Sequence, residues 1–296
     1  MNKNNSSWLN ATGPLTIPMT NDYLFRALLQ RNNSVLRGLI AALLHMNESD
    51  IHSVFITNPI NLGECITDKT FILDINLILN DSTIINLEMQ VINEGNWLER
   101  SLSYLCRSFD QLKSGEQYLT IKPVIQIGIL NFTLFPDYPE FYSTYKLKNI
   151  KNDYVYSDKL RISVLDLSCI HLATDEDKMH QLDYWAKLFK ATTWEDLKML
   201  ANNNEYMNQA SSTIYQLSQE EQIRLQCRAR EDYIRTQNDR IYLMAQKDNA
   251  LIEKDAQLNE MDAQLNEKNA KINELEVQIA ELSAQIAELS AQIKNP

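Results

Sequence analysis

The residues best suited to chemistry are two carboxylates on the facing strands of a predicted β-hairpin. Residues 70–79 and 83–91 both alternate between apolar and polar side chains, and the three polar residues between them are typical of a turn. If the turn centres on Asp81, Asp74 lies directly opposite Glu88, with Cβ atoms about 5 Å apart. Like charges at that distance destabilise a sheet, whereas a bound cation would be coordinated by both. The pair predicts a divalent-metal site, and the simpler alternative is a solvated polar sheet face.

The same pattern places further polar side chains beside the two acids. Asn76, Asn86 and Gln90 share their face, and the apolar residues of both strands share the other. Gln90 follows Glu88 by two residues and therefore points the same way. The polar face thus combines two carboxylates with amide groups that could orient a ligand.

The order of Asp74, Glu88 and Gln90 resembles the D-(x)n-E-x-Q core of the PD-(D/E)xK nucleases, in the variant where Gln replaces the usual Lys. Other motifs are similar to those of the Rpn family of recombination-promoting nucleases or putative transposases. They extend over about residues 19–244 and include D-x-x-F-R from position 22, L-D-I from 73, E-M-Q from 88, R-x-x-x-Y from 100, G-x-x-Y from 115, P-V-I from 123 and a strand at 160–167.

The resemblance implies a metal-dependent DNA endonuclease that hydrolyses phosphodiester bonds during recombination or transposition. Asp74 and Glu88 would bind Mg²⁺ or Mn²⁺, which polarises the phosphate and lowers the pKa of an attacking water. Gln90 would orient that water or the phosphate, but it cannot act as the charged acid–base group that Lys provides. Asp22 is a candidate fourth catalytic residue, although an acid in the first turn also simply complements the helix dipole.

The family motif also suggests nucleic-acid-binding residues. Arg100 and Tyr104 lie one helical turn apart and could hold the scissile phosphate. Without the motif, the pair would be interpreted as ordinary helix surface. DNA is therefore the expected partner, although the net charge of −11 is unlike the basic balance of most DNA-binding proteins. Residues 145–161 are a local exception, with five Lys or Arg, two Asp and three Tyr, and form either a phosphate-binding segment or a solvated loop.

Periodicity predicts an α/β fold. The resemblance implies that this fold is a restriction-endonuclease-like PD-(D/E)xK core, followed by a helical C-terminal extension and a coiled coil. Helices are expected at 21–31, with Thr20 as N-cap, at 34–45 and at 96–114. Residues 123–132 and 160–167 are expected to be strands, the first of them buried at a sheet centre, and the chain is expected to be helical from residue 175.

Two of these helices are expected to bury an apolar side. In the first, Phe25, Leu28 and Leu29 face the core. In helix 96–114 the expected inward stripe is Leu98, Leu102, Leu105, Phe109 and Leu112.

Seven consecutive heptads at residues 247–295 predict a coiled coil. Leu or Ile occupies every a position from Leu251 to Ile293, and Leu occupies the last three d positions at 275, 282 and 289. Ile at a with Leu at d favours a parallel dimer. We therefore expect a homodimer through this segment, and the simpler alternative is a single charged surface helix.

The predicted domain organisation has four parts. A flexible N-terminal arm spans 1–18, a nuclease-like domain 19–200, a helical extension 201–246 and the coiled coil 247–296. No apolar run approaches the roughly 20 residues needed to cross a bilayer, so we expect no membrane contact and a cytoplasmic location. The alternative function is a weakly active or inactive nuclease-fold module that acts through its coiled coil. Acidic charge and Gln90 favour that alternative, and the Asp74–Glu88 pair opposes it.

Overall fold

A computed structural model describes residues 7–60, 62, 74–110, 112–202 and 204–294, with side chains described as far as residue 290. The chain divides into two compact units, Met1–Thr236 and Gln237–Pro296. Residues 70–73 of the predicted first hairpin strand lie outside the described residues. The four-part domain organisation stays a prediction.

A mixed β-sheet lies at the centre of the first unit and confirms the predicted α/β class. Within the described residues it has six strands in the order β1-β2-β3-β4-β6-β5. The strands are β1 Val54–Ile56, β2 Ile75–Leu79, β3 Thr83–Gln90, β4 Val124–Leu130, β5 Tyr142–Tyr145 and β6 Leu160–Asp166. Strands β3, β4 and β6 are parallel to one another, and β1, β2 and β5 pair antiparallel with their neighbours. The sequence did not predict β1 or β5, which are only three and four residues long.

Helices surround the sheet, and the chain is helical from residue 175 as predicted. The described α-helices are α1 Asp22–Arg31, α2 Asn33–Leu44, α3 Trp97–Phe109, α4 Asp175–Met179, α5 Leu182–Lys190, α6 Trp194–Ala201, α7 Glu205–Gln219 and α8 Glu221–Lys294. Short 3-10 helices occupy Ser7–Asn10, Glu48–Asp50, Tyr118–Thr120 and Ile170–Leu172. None of the helices in the described part of the chain is both long enough and apolar enough to cross a membrane.

The hairpin of β2 and β3 has the predicted register. Ile75 lies opposite Leu87, and Leu79 lies opposite Thr83, so the turn centres on Asp81. Asp81 has a positive φ of 56°, as does Asn80 with a φ of 49°, and both residue types tolerate this left-handed conformation. Asp74 immediately precedes the paired part of β2 on the side that faces Glu88.

Strand β4 is the centre of the sheet. All seven of its residues are buried, which confirms the prediction from its continuous apolar sequence. Gly128 of β4 lies opposite Glu88 of β3. The ring of Trp97 from α3 covers Gly128 so closely that a Cβ atom there would lie 2.2 Å from the ring. The missing side chain therefore lets α3 approach the sheet next to Glu88.

The rotation and the length of α3 differ from the prediction. Its buried residues are Trp97, Ser101 and Leu105, whereas Leu98 and Leu102 are 44% and 51% exposed. The packing of Trp97 on Gly128 determines which side of the helix faces the sheet. The helix also ends at Phe109 and not at residue 114, so Leu112 lies beyond it.

The start of α1 also corrects a detail. Asn21 and not Thr20 is the N-cap, because its Oδ1 accepts hydrogen bonds from the backbone N–H groups of Tyr23 and Leu24, both at 3.1 Å. The Asn21 side chain also donates a 2.9 Å hydrogen bond to the carbonyl of Cys227 in α8. Phe25, Leu28 and Leu29 of α1 are buried as predicted. The first helix is thus fixed both to the core and to the beginning of α8.

The second unit consists of the part of α8 that begins at Gln237. As far as residue 290, its heptad a and d side chains are exposed on the single helix; Leu258, Ile279 and Leu282 are 57%, 63% and 58% exposed. Exposing such an apolar stripe to water is unfavourable for an isolated helix. The coiled coil and the homodimer stay predictions.

Candidate active site

Most of the predicted site residues line one pocket of about 40 Å³ in the first unit. Those brought together are Asp22, Asp74, Glu88, Gln90 and Arg100. Tyr104 does not line it. The remaining walls come from β3, the segment after it, and the first turns of α8, through Met89, Val91, Ile92, Glu94, Arg230, Tyr233 and Ile234.

Strand β3 contributes the polar side chains at the bottom of the pocket. Asn86, Glu88 and Gln90 alternate along one face, as predicted, and are only 3%, 5% and 7% exposed. The alternative of a solvated sheet face is therefore wrong for this strand. Burying polar groups costs free energy unless they find partners. Which of these groups have partners therefore determines which polar atoms remain to bind a ligand.

Glu88 has one strong partner and one free oxygen. Its Oε1 accepts a short hydrogen bond from Arg100 in α3, and its buried Oε2 has no hydrogen-bond partner among the described residues. Burial raises the pKa of Glu88 to about 7, because the attraction of Arg100 offsets only part of the desolvation, and the charges of Asp74 and Asp22 add to the rise. Desolvation lowers the pKa of Arg100, but its interactions with Glu88, Tyr104 and Glu94 together outweigh that effect and raise the pKa above the usual value.

Asp74 is held by amide groups and by a buried arginine. Its Oδ2 accepts a 2.9 Å hydrogen bond from the side chain of Asn86. Its backbone carbonyl accepts hydrogen bonds from Arg26 of α1 and, at 3.0 Å, from the side chain of Asn58. These contacts fix both the carboxylate and the main chain at the point where β2 begins.

Asp22 lines the pocket, but its carboxylate is paired with Arg230 of α8. The guanidinium donates from Nε to both carboxylate oxygens at 2.8 and 2.9 Å, and from Nη2 to Oδ2 at 2.5 Å. Arg230 also packs over the ring of Tyr233, 4.7 Å from its centroid. Asp22 therefore contributes charge to the site and, as the structure stands, no free oxygen.

Gln90 presents an acceptor to the pocket. Its amide NH₂ donates a 3.0 Å hydrogen bond to the carbonyl of Ile92, and its buried Oε1 has no hydrogen-bond partner in the part of the chain that the structure describes. A neutral amide is not a proton acceptor near neutral pH. Gln90 can therefore accept a hydrogen bond from a proton donor and orient it, but it cannot take up the proton.

Tyr104 lies behind Arg100. The guanidinium carbon of Arg100 is 5.6 Å from the centroid of the Tyr104 ring, within the range of a cation–π contact. Arg107 lies on the same ring at 5.9 Å. The position of Tyr104 allows it to orient Arg100 and does not place it against a pocket ligand.

The basic segment at residues 145–161 does not line the pocket. Lys148 and Val155 form an isolated β-bridge, and Lys146 pairs with Asp158 at 2.8 Å. Tyr154 and Tyr156 are 74% and 80% exposed. Both interpretations of this segment, a phosphate-binding surface and a solvated loop, stay open.

The oxygen atoms in the pocket fit a hard divalent cation. Glu88 Oε2 and Gln90 Oε1 are buried acceptors to which none of the described residues donates a hydrogen bond, and the Asp74 carboxylate lies in the same pocket. Two carboxylates and an amide oxygen are the ligand types that Mg²⁺ takes in proteins, together with water and phosphate oxygens. Across the described ranges, no group of three His, Cys, Asp or Glu side chains could hold a metal ion. The metal site formed by Asp74 and Glu88 stays a prediction.

Sequence reasoning missed two arginines of this site. Arg26 belongs to the D-x-x-F-R motif, which could have indicated it, but a role behind Asp74 has no local signal. Arg230 lies 208 residues from Asp22, among other charged residues at the start of α8. Only the fold brings it to the pocket.

The family of the chain follows from a comparison with known proteins. Residues 19–246 match the family described as PD-(D/E)XK nuclease family transposase. No curated protein and no solved structure shows significant similarity to the chain. The matched segment contains all the pocket residues, and it confirms the family inferred from the hairpin and the surrounding motifs. The chain therefore belongs to the PD-(D/E)XK nuclease family transposases.

Proposed function

We propose that the protein is a metal-dependent DNA endonuclease that hydrolyses phosphodiester bonds in recombination or transposition. One observation carries the proposal. The carboxylates of Asp74 and Glu88, the free oxygen of Gln90 and the guanidinium of Arg100 converge on one pocket of a chain that belongs to a nuclease family. Nuclease-type chemistry is the function that this family and this arrangement support together.

Each pocket residue has a distinct proposed role. Asp74 and Glu88 would hold Mg²⁺ or Mn²⁺, and a bound cation of this kind polarises a phosphoryl oxygen and lowers the pKa of water. Arg100 pairs with Glu88 in this structure and is the group best placed to bind a phosphate oxygen, with Tyr104 behind it. Gln90 would accept a hydrogen bond from the attacking water through Oε1.

Asp22 acts through its charge in this proposal. Because Asp22 is paired with Arg230, we assign the metal-ligand role to Asp74 and Glu88 alone. The negative charge of Asp22 still raises the cost of ionising Glu88 without a cation. Binding a divalent cation would relieve this repulsion.

The proposed partners are DNA and a second copy of the chain. The exposed a and d side chains of the second unit support a parallel coiled-coil homodimer, because pairing would remove them from water. Two nuclease domains on one DNA would suit double-strand cleavage. A cytoplasmic location stays a prediction.

The decisive experiment is plasmid cleavage by the purified full-length protein in Mg²⁺ or Mn²⁺. We expect nicking or linearisation by the wild type, loss of cleavage in Asp74→Asn, and unchanged cleavage in Asp137→Asn, which removes the same charge from an exposed position. Intact plasmid with the wild type, or equal cleavage by Asp74→Asn, would contradict the proposal.

A second candidate function is a silent nuclease-fold module that acts through its coiled coil. Two observations favour it: Arg100 and Arg230 already neutralise two of the pocket acids, and Gln90 supplies no charged acid–base group. Thermal unfolding distinguishes the two functions. A metal site predicts that Mn²⁺ raises the Tm of the wild type and not that of Asp74→Asn, whereas a silent site predicts no difference between them.

A further inference from the structure

Arg26 is a buried cation that donates to two backbone carbonyls. It lies in α1 with only 1% of its surface exposed. Its Nη1 donates to the carbonyl of Asp74, and its Nη2 donates to the carbonyl of Asn58. Its Nε is buried and has no hydrogen-bond partner within the described ranges. Removing a guanidinium from water costs several kcal/mol, so a residue that served packing alone would be better replaced by an apolar one.

Asn58 links Arg26 to the beginning of β2. Its side-chain NH₂ donates to the Asp74 carbonyl at 3.0 Å, and its Oδ1 accepts from the backbone N–H of Asn76 at 2.9 Å. Asn58 follows β1, which pairs with β2 only as far as Ile56 and Leu77. The Asn58 side chain therefore continues the contact between these strands up to Asp74.

These contacts act at the end of the described β2–β3 ladder. Among the described residues, the first pair of the hairpin is Ile75 and Leu87, so Asp74 lies one residue before the described ladder. Arg26 and Asn58 fix its main chain, and Asn86 fixes its carboxylate through a 2.9 Å hydrogen bond. We call Arg26, Asn58 and Asn86 the Asp74 network.

We propose that Arg26 is a positioning residue for the metal site: it holds Asp74 within reach of a cation that Asp74 would share with Glu88. This inference rests on the proposed function. The buried positive charge behind Asp74 also reduces the repulsion between the two carboxylates before a cation is present. Outer contacts of this kind orient metal ligands, and their loss commonly weakens metal binding by about 10–100-fold.

The test is a Mn²⁺ titration of the full-length protein by calorimetry, without DNA. We expect Arg26→Gln to raise the Kd for Mn²⁺ by at least about 10-fold. Arg26→Lys keeps the charge and donors, so it should lose less affinity than Arg26→Gln. Arg31→Gln on the same helix is the matched control, because Arg31 forms a half-exposed pair with Glu220 and should leave the Kd unchanged.

A purely structural role would alter stability without altering the Kd of the folded protein, so circular dichroism and thermal unfolding are recorded for every variant. If Arg26→Gln does not fold, Asn58→Ala is the second variant, because it leaves the Arg26 charge in place. We expect it to raise the Kd for Mn²⁺ at least about 3-fold, which is less than the usual effect of losing an outer contact.

Two outcomes separate this inference from the proposed function. If the wild type and folded Arg26→Gln bind Mn²⁺ with the same Kd, the role of Arg26 is overturned and the proposed function is not. Where Arg26→Gln does not fold, the same holds for an equal Kd of the wild type and Asn58→Ala. A wild type that binds no Mn²⁺ overturns both.

Discussion

Arg230 donates three hydrogen bonds to the Asp22 carboxylate and thereby joins the first turns of α8 to the first turn of α1. Both side chains are largely buried, with 15% and 6% of their surface exposed. The matched family segment extends to residue 246 and includes this contact. The beginning of α8 is therefore a wall of the candidate active site.

Replacing Arg230 should destabilise the first unit. Arg230→Gln leaves Asp22 buried without its counter-ion, which costs about 3–5 kcal/mol in comparable buried pairs. Urea unfolding of the full-length protein measures the loss. Asp22→Asn combined with Arg230→Gln should recover much of it, because the uncompensated charge is then gone.

Arg235→Gln is the control for that experiment. Arg235 lies on the same helix, 72% exposed, and its ion pairs with Glu231 and Asp232 should contribute less than about 1 kcal/mol. Equal losses for Arg230→Gln and Arg235→Gln would show that the buried pair has no special role.

Glu88 should make the stability of the metal-free protein depend on pH. Its pKa in the folded protein is about 7, against 4.5 for a solvent-exposed glutamate, which stands for the unfolded chain. The folded state thus holds the proton more tightly, and the stabilisation is complete below the unfolded pKa and lost as pH rises through 7. Glu88→Gln removes this dependence. The free energy of unfolding of the variant minus that of the wild type should therefore rise by on the order of 2–3 kcal/mol between about pH 5 and about pH 8.

Urea unfolding in EDTA measures this difference. Glu99→Gln removes an exposed carboxylate from the same helix as Arg100 and should give a pH profile parallel to that of the wild type. If the Glu88→Gln profile is also parallel, the buried carboxyl is not the titrating group.

The tail should control the oligomeric state. Ile279→Asp places a charge at a predicted a position, where dimer formation would bury it, and should weaken association at least about 10-fold. Ala284→Asp introduces the same charge at the outer f position of the same heptad and should leave a dimer. Light scattering of the full-length variants gives the masses, and a monomeric wild type would rule out the predicted dimer.

Gly128→Ala should disturb both stability and the site. The added Cβ would lie 2.2 Å from the ring of Trp97, so α3 must move away from the sheet or the ring must rotate. Overpacking of this kind costs about 1–3 kcal/mol. Thermal unfolding measures the loss, and the smaller ring of Trp97→Phe should restore part of it in the double variant. No loss in the single variant would show that α3 adjusts freely.

The hairpin could be predicted because its information is local. Alternation with period two defines which side chains share a face, and the polar turn fixes the register that places Asp74 near Glu88. The buried strand β4 was likewise evident from its uninterrupted apolar residues. These elements confirm the core of the fold.

Other features depend on contacts between distant segments. The rotation of α3 depends on the fit of Trp97 to Gly128, a residue without a side chain, so apolar periodicity alone wrongly directed Leu98 and Leu102 inward. Arg230 reaches Asp22 across 208 residues, and no local pattern distinguishes it from its charged neighbours. The N-cap was misplaced by one residue because Thr20 and Asn21 are both good capping residues.

Gly128 and Trp97 also have a consequence for how this family can diversify. The two residues share one volume, so a larger residue at position 128 is compatible only with a smaller one at position 97. The distance from Arg100 to Glu88 depends on that shared volume, although neither Gly128 nor Trp97 has a group that could take part in hydrolysis. Exchanges at these two positions should therefore occur as a pair among homologues that keep the ion pair, and a survey restricted to ionisable residues would overlook this constraint.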